Sequence, residues 1–393
     1  MSLRNKVRNV VLAGAVSSLL LSPMALAATI KIGYTGPLSG GAALYGQDAL
    51  DGLQMAANEI NASGGLTVAG KKYDVEIVSL DDKYAPSQTA MNAKRLVQRD
   101  KVKFIYTPHS GGAFALQGFN ERSNFLLMAY SSVPKITEQG NALTVRIPPT
   151  YTGYVEPFVG LGMEHHGKHL AVASGTHDYA RMWSQAIIPA WEKAGGEVVA
   201  NNPMDYNKSA DFYTGVSRSL AANPDVMFVG GASEPTGLVV RQARELGFKG
   251  GFILMGQAKL IEVAEVAGGL DQLEGAIGVP PLTAHKDVGA KTFVEKRNKI
   301  KENSLSWEVA MHYTSLYMLT EAMKVAESVD DARKVRAAFG QALTQLPDEY
   351  NTFNVKEITE EGGLVHDSPI AMVRGGELEM LTISEYENYS TEK

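Results

Sequence analysis

Cysteine is absent from all 393 residues of the sequence. Its absence excludes a disulfide scaffold, a thiolate metal site, a cysteine nucleophile and a lipid-modified N-terminal cysteine. Beyond residue 27 the sequence also lacks an apolar run of about 18 residues, the length that a membrane-spanning helix needs. We therefore expect residues 28–393 to be soluble and not membrane-anchored.

Basic residues are outnumbered by acidic ones: the sequence has 37 Lys and Arg against 43 Asp and Glu, which gives a net charge of −6. An acidic surface repels both nucleic-acid phosphates and anionic lipid head groups. We therefore expect no nucleic-acid partner.

The first 27 residues differ in character from the rest of the chain. Arg4, Lys6 and Arg8 precede an apolar run over residues 10–21, and small residues follow at 25–27. This order is typical of a secretory signal peptide, and we expect cleavage after Ala27. An exported chain without cysteine fits a free protein in the periplasm, which is the compartment we predict.

Short apolar runs alternate with amphipathic segments up to about residue 265, as in parallel strands joined by crossover helices. About 366 mature residues also exceed what one hydrophobic core serves. We therefore predict an α/β fold of two Rossmann-like lobes with parallel sheets. The candidate strands cover residues 30–34, 73–80, 102–106, 125–130, 169–174, 197–200, 225–230 and 251–255.

Two stretches that each end in a proline pair interrupt the alternation, at residues 145–149 and 277–281. Consecutive prolines do not fit inside a helix or a central strand, so both stretches are interpreted as crossings between lobes. A third crossing is expected in the tail from residue 351, which contains a probable hairpin turn at 374–377. The predicted division is 28–147 and 280–350 for the first lobe, and 148–279 and 351–393 for the second. Three thin connections form a hinge that lets the lobes close.

Ligands of open parallel sheets bind beyond the carboxyl ends of the strands. In the first lobe, Ser110 and Gly111 follow the third candidate strand, and Ser131 and Ser132 follow the fourth. Hydroxyl groups beside free backbone N–H groups can hold a carboxylate by several hydrogen bonds. The alternative is that these serines only cap helices.

In the second lobe, Asp178 and Tyr179 follow a strand and open a helix, and Glu234 follows another strand. Asp178 or Glu234 could pair with a ligand ammonium group, and Tyr179 could close over the ligand. For both acids, capping of a helix N-terminus is an equally good interpretation.

The sequence gives little support to an enzyme. The loop at 36–46 is rich in glycine but has neither G-x-G-x-x-G nor Gly-Lys-Ser/Thr, and no G-x-S-x-G elbow occurs. His165 and His166 are adjacent and point to different helix faces, so with His169 they are interpreted as dipole partners rather than metal ligands. We predict no catalysis, no metal and no cofactor.

Four stretches carry a resemblance: IKIGYTGPLSGGAALYGQDALDGLQMAANEINASGG at 30–65, DDKYAPSQTAMNAKRLVQRDKV at 81–102, NPDVMFVGG at 223–231 and RQARELGFKG at 241–250. The chain resembles the leucine/isoleucine/valine-binding protein family, the type I periplasmic binding proteins of ABC importers. The resemblance implies a protein that traps a small molecule between two lobes and delivers it to a membrane permease. We expect this protein to be a monomer. The resemblance also implies ligand contacts at Tyr45, Ser110, Gly111, Ser131, Ser132 and Tyr179.

The sequence departs from the amino-acid binders of this family at two places. Ala232 or Ser233 replaces a common aromatic residue, and Gly256 and Gln257 stand where an acid often holds the ligand ammonium. A buried ammonium group without a counter-charge is costly. The resemblance therefore favours a carboxylate-bearing solute, with an amino acid first and an aromatic acid, a small amide or urea as alternatives. A periplasmic sensor for a signalling partner shares the same fold and stays open.

Overall fold

The computed structural model describes residues 28–300, 305–366, 368–383 and 385–386. The predicted signal peptide and its cleavage site lie outside these residues. The strands are β1 Ala28–Gly36, β2 Leu66–Val68, β3 Lys71–Asp81, β4 Phe104–Thr107, β5 Leu126–Ala129, β6 Thr144–Arg146, β7 His169–Ser174, β8 Glu197–Asn201, β9 Val226–Gly230, β10 Gly251–Leu254, β11 Ile277–Gly278, β12 Glu357–Ile358, β13 Leu364–Val365, β14 Pro369–Arg374 and β15 Glu377–Thr382.

The α-helices alternate with these strands and cover their sheets. Their bounds are α1 Ala43–Ala62, α2 Pro86–Gln98, α3 Ser110–Gln117, α4 Asn120–Ser123, α5 Lys135–Glu138, α6 Thr152–His165, α7 Asp178–Lys193, α8 Tyr213–Leu220, α9 Ser233–Glu245, α10 Leu260–Ala267, α11 Val288–Asn298, α12 Trp307–Ala326 and α13 Ala332–Gln345. Glycines follow α1 and α7 in the left-handed region, at Gly64 (φ 102°) and Gly195 (φ 85°), a backbone conformation that commonly ends a helix.

The described residues form two lobes, each built around its own large sheet. The first lobe has the strand order β2-β3-β1-β4-β5-β6, and the second has β15-β14-β11-β10-β9-β7-β8. Eight strand pairings are parallel, four in each sheet: β3/β1, β1/β4, β4/β5 and β5/β6 in the first, and β8/β7, β7/β9, β9/β10 and β10/β11 in the second. All eight candidate strands are present, and the predicted α/β class is confirmed by the fold.

Both proline-rich crossings begin later than the sequence pattern suggests. Residues 144–146 form β6, which pairs with β5 at the edge of the first sheet, and residues 277–278 form β11, which pairs with β10. Each strand is only two or three residues long because prolines follow at once and cannot continue a ladder. The interpretation of 145–146 and 277–278 as connecting chain is therefore wrong, and the chain leaves each sheet only after them.

The tail contacts both lobes in turn. Residues near its start bond to the first lobe, where Thr314 Oγ1 donates to the carbonyl of Tyr350 and Arg146 N donates to the carbonyl of Gly362. The hairpin predicted at 374–377 is confirmed, since β14 and β15 pair across Gly375 (φ 58°) and Gly376 (φ 75°). The division into lobes stays a prediction, and we propose that the third crossing follows β13 rather than residue 350.

Candidate functional site

A cavity lies between the two lobes at the carboxyl ends of the strands of both sheets. The space that protein atoms leave free between its walls, part of which is open to solvent, is about 520 Å³. In the first sheet it sits where the strand order reverses, between β1 and β4, the usual position of ligands in open α/β sheets. In the second lobe its wall residues follow β7, β10 and β11. Its wall consists of Tyr45, Tyr84, Pro108, His109, Ser110, Tyr130, Ser131, Ser132, Pro148, Pro149, Tyr154, Tyr179, Gly256, Gln257, Lys259, Val279, Trp307 and Glu308.

All three predicted serines lie on the wall of this cavity. Ser110, at the first turn of α3, and Ser131, after β5, share a hydrogen bond of 2.7 Å between their hydroxyl groups. Ser132 and Tyr179 share another of 2.7 Å, which joins the first lobe to the second. The arrangement offers hydroxyl donors to one end of a bound molecule.

Aromatic side chains make up most of the remaining wall. The Tyr45 hydroxyl donates to the carbonyl of Pro108 at 2.6 Å, and the Tyr45 and Tyr130 ring centroids are 6.3 Å apart. Burial raises the pKa of the Tyr179 and Tyr130 phenols well above their usual value, so both stay neutral. Rings with neutral hydroxyls suit a ligand that is apolar at one end.

A buried ion pair crosses the cavity from one lobe to the other. Lys259 precedes α10 in the second lobe, and Glu308 lies in the first turn of α12 in the first lobe. Lys259 Nζ is 3.0 Å from Glu308 Oε1, and both side chains are at most 3% exposed. Lys259 Nζ also donates to the carbonyl oxygens of Gly256 and Gln257. The pair places one positive and one negative group at the wall without net charge.

The other predicted residues lie away from this wall or have other partners. Glu234 is exposed on the first turn of α9, whose buried neighbour Ser233 turns inward instead. Asp178 pairs with Arg181 one turn along α7 and lines a second, outer cavity with Gly111. Neither acid lies on the inner wall, so neither can serve as the counter-charge of a ligand ammonium there. Gln257 does line the inner cavity and is buried.

Lys259, Glu308 and Tyr84 were not identified from the sequence, and each had a recognisable feature. Glu308 is the only acidic residue among the first 14 residues of α12, all of which are buried. Lys259 follows β10 as closely as the predicted residues follow their strands. Tyr84 lies within the quoted DDKYAPSQT stretch. An isolated charge in an apolar segment is the feature that would have indicated the ion pair.

Glu262, on α10 next to the ion pair, titrates abnormally. Burial first, and then the charge of Glu308, raise the pKa of its carboxyl to about 8. The folded protein therefore keeps a proton that the unfolded chain releases near pH 4.5, and stability must fall as the pH rises toward 8. Burial lowers the pKa values of the His177, His285 and His312 imidazoles to about 3 to 4. These groups make stability rise with pH, but only below about pH 6.5, where the unfolded chain binds their protons.

We therefore expect Glu262→Gln to flatten the loss of stability between pH 6.5 and 8.5. The measurement is urea unfolding at both pH values, and the control is Glu265→Gln on the exposed face of the same helix. Parallel losses in the wild type and Glu262→Gln would contradict this prediction.

Within the described ranges, no group of three or more His, Asp or Glu side chains has the placement of a metal site. Nor does any helix there have the length and apolar character needed to cross a bilayer.

Comparisons with known proteins agree with this geometry. Residues 29–377 match a family model described as periplasmic binding protein. The chain is 25% identical over 332 residues to the Leu/Ile/Val-binding protein of Escherichia coli (strain K12), covering 82% of this chain and 86% of that protein.

Solved structures share the fold over 90% of the chain. A leucine binding protein from Thermotoga maritima has a TM-score of 0.73 at 23% identity and is covered over 97% of its length. A solute binding protein of an ABC transporter from R. palustris, in complex with benzoate, has a TM-score of 0.74 at 15% identity and is covered over 96%.

Proposed function

The chain belongs to the periplasmic binding protein family, whose members are solute-binding proteins and not enzymes, and on that premise we propose that it serves an ABC importer by capturing an amino acid with an apolar side chain. The solute is held between the two lobes and passed to a membrane permease. We further propose that the exported chain is cleaved after Ala27 and acts as a monomer in the periplasm.

The charge of the cavity supports a zwitterionic ligand. Lys259 and Glu308 cancel each other, so a molecule with one ammonium and one carboxylate group adds no net charge to a buried site. Among the described residues, the hydrogen bonds to the Glu308 carboxylate both end on Oε1, which leaves Oε2 for a ligand ammonium. This buried carboxylate on the cavity wall is the observation that carries the proposal.

The serines and the rings complete the assignment. Ser110, Ser131 and Ser132 would donate to the ligand carboxylate, in keeping with the resemblance, while Tyr45 and Tyr179 would contact the side chain. An apolar side chain suits these walls because burial of apolar surface stabilises by about 25 cal/mol per Å².

An aromatic acid is the second candidate, on the strength of the aromatic wall and of the benzoate bound by the R. palustris protein. An acid without an ammonium group would add a negative charge beside Glu308. Lys259 would have to compensate it while remaining paired. The amino acid therefore fits better.

A thermal-shift screen of residues 28–393, refolded to remove carried-over ligand, tests the proposal. We expect L-leucine, L-isoleucine, L-valine or L-phenylalanine to stabilise the protein, by about 2.7 kcal/mol at 100 times its dissociation constant. Benzoate, acetamide and urea should give smaller shifts.

Ser132→Ala should reduce the shift because it removes a hydroxyl from the wall. Ser87→Ala, an exposed serine on α2, is the matched control and should leave it unchanged. A shift with benzoate alone would refute the amino-acid assignment and establish the second candidate.

A further inference from the structure

Tyr84 stands between the inner cavity and a second, outer cavity. The outer cavity also lies between the lobes and is partly open to solvent, with about 920 Å³ of space free of protein atoms. It is lined by charged residues of both signs, namely Lys83, Asp178, Arg181, Asp205 and Lys208. Four residues line both cavities, namely Tyr84, His109, Ser110 and Tyr179. We infer that the Tyr84 side chain is a partition that limits the length of the ligand, an inference that rests on the proposed function because it concerns the same cavity.

The Tyr84 ring is held in place from three directions. It stacks on His109 with ring centroids 4.6 Å apart, and it meets the edge of the His177 ring at 5.4 Å. Gln257 Nε2, from the second lobe, donates to the Tyr84 hydroxyl at 3.2 Å. The ring is therefore fixed by both lobes when they are closed, as a partition requires.

The backbone beneath the ring is strained. Lys83 (φ 54°) and Tyr84 (φ 61°) both occupy the left-handed region, which side chains other than glycine rarely adopt. Strain of this kind persists only where the surrounding structure over-determines it, and it concentrates at functional positions.

Two aspartates supply that constraint. Asp81 Oδ1 accepts from the backbone N–H of Lys83 and Asp82 Oδ1 from that of Tyr84, both at 2.9 Å. Asp82 Oδ2 is in turn 3.0 Å from His109 Nε2, within hydrogen-bond distance, and both side chains are buried. The DDKY stretch thus forces Tyr84 into this position, although a glycine would fit the turn with less strain.

Removal of the ring should join the two cavities. Tyr84→Gly suits the left-handed backbone and empties the position, whereas Tyr84→Phe keeps the ring and removes only the bond to Gln257. Two pairs of probes differ in length alone: L-phenylalanine with 4-phenyl-L-phenylalanine, and benzoate with biphenyl-4-carboxylate. Isothermal titration calorimetry would measure each dissociation constant.

We expect the wild type and Tyr84→Phe to bind the shorter member of a pair and to discriminate against the longer one by roughly 100-fold or more. In Tyr84→Gly this discrimination should fall to about tenfold or less. A folded Tyr84→Gly variant that discriminates as the wild type does would overturn the inference. So would a wild type that binds both lengths equally.

These outcomes are separable from the fate of the proposed function. If the wild type binds benzoate and not L-phenylalanine, the amino-acid assignment fails. The biphenyl pair then still decides whether Tyr84 limits ligand length.

Discussion

Replacement of Glu308 by glutamine is expected to abolish amino-acid binding, with affinity falling by about 100-fold or more. Glutamine keeps the shape of the side chain but removes the negative charge that we assign to the ligand ammonium. The same change removes the carboxylate that lies 3.0 Å from the buried Lys259 ammonium. We therefore also expect a loss of stability on the order of 3 kcal/mol.

A double variant separates the two effects. Glu308→Gln combined with Lys259→Met removes both charges, and replacement of a buried pair by uncharged groups is often neutral for stability. We expect the double variant to unfold near the wild-type temperature and still to bind no amino acid. Calorimetry and a ligand titration on both variants check this prediction, and recovery of binding in the double variant would refute the role of Glu308.

The sheets were predictable because burial on both faces leaves a strong pattern in the sequence. Residues 226–230 of β9 and 251–254 of β10 are entirely buried, so their apolar runs are continuous and end abruptly. The short strands β6 and β11 left only two or three residues of pattern before a proline pair. Strands this short therefore look like connecting chain until their partners are known.

The part of the site that could be predicted from the sequence is the part built by residues directly after strands. Ser110, Ser131 and Ser132 follow strands directly, and their positions at the sheet edge follow from the alternation. The Lys259–Glu308 pair joins residues 49 positions apart from different lobes, and no local pattern connects them. Asp178 and Glu234 satisfied the same local rule as the serines, but helix geometry turns the first to Arg181 and the second to solvent.

The helix that carries Glu308 packs closely on α1, and Gly52 makes this approach possible. A Cβ atom added at Gly52 would lie 2.2 Å from the carbonyl oxygen of Val309 and 3.0 Å from the backbone nitrogen of Tyr313. Backbone atoms of a packed helix cannot move aside without shifting the helix. Gly52→Ala should therefore lower the free energy of unfolding by about 2–3 kcal/mol, although alanine is the better helix former.

Gly340 on α13 provides the matched control for this substitution. Its position is exposed, and an added Cβ atom would meet nothing nearer than Ile358 Cγ2 at 3.9 Å. Gly340→Ala should raise stability by about 0.5–1 kcal/mol through helix propensity alone. Urea unfolding measures both variants, and a ligand titration shows whether Gly52→Ala also weakens binding by displacing α12 and Glu308. Equal effects of the two substitutions would mean that α1 and α12 can separate freely, and that the position of Glu308 does not depend on their contact.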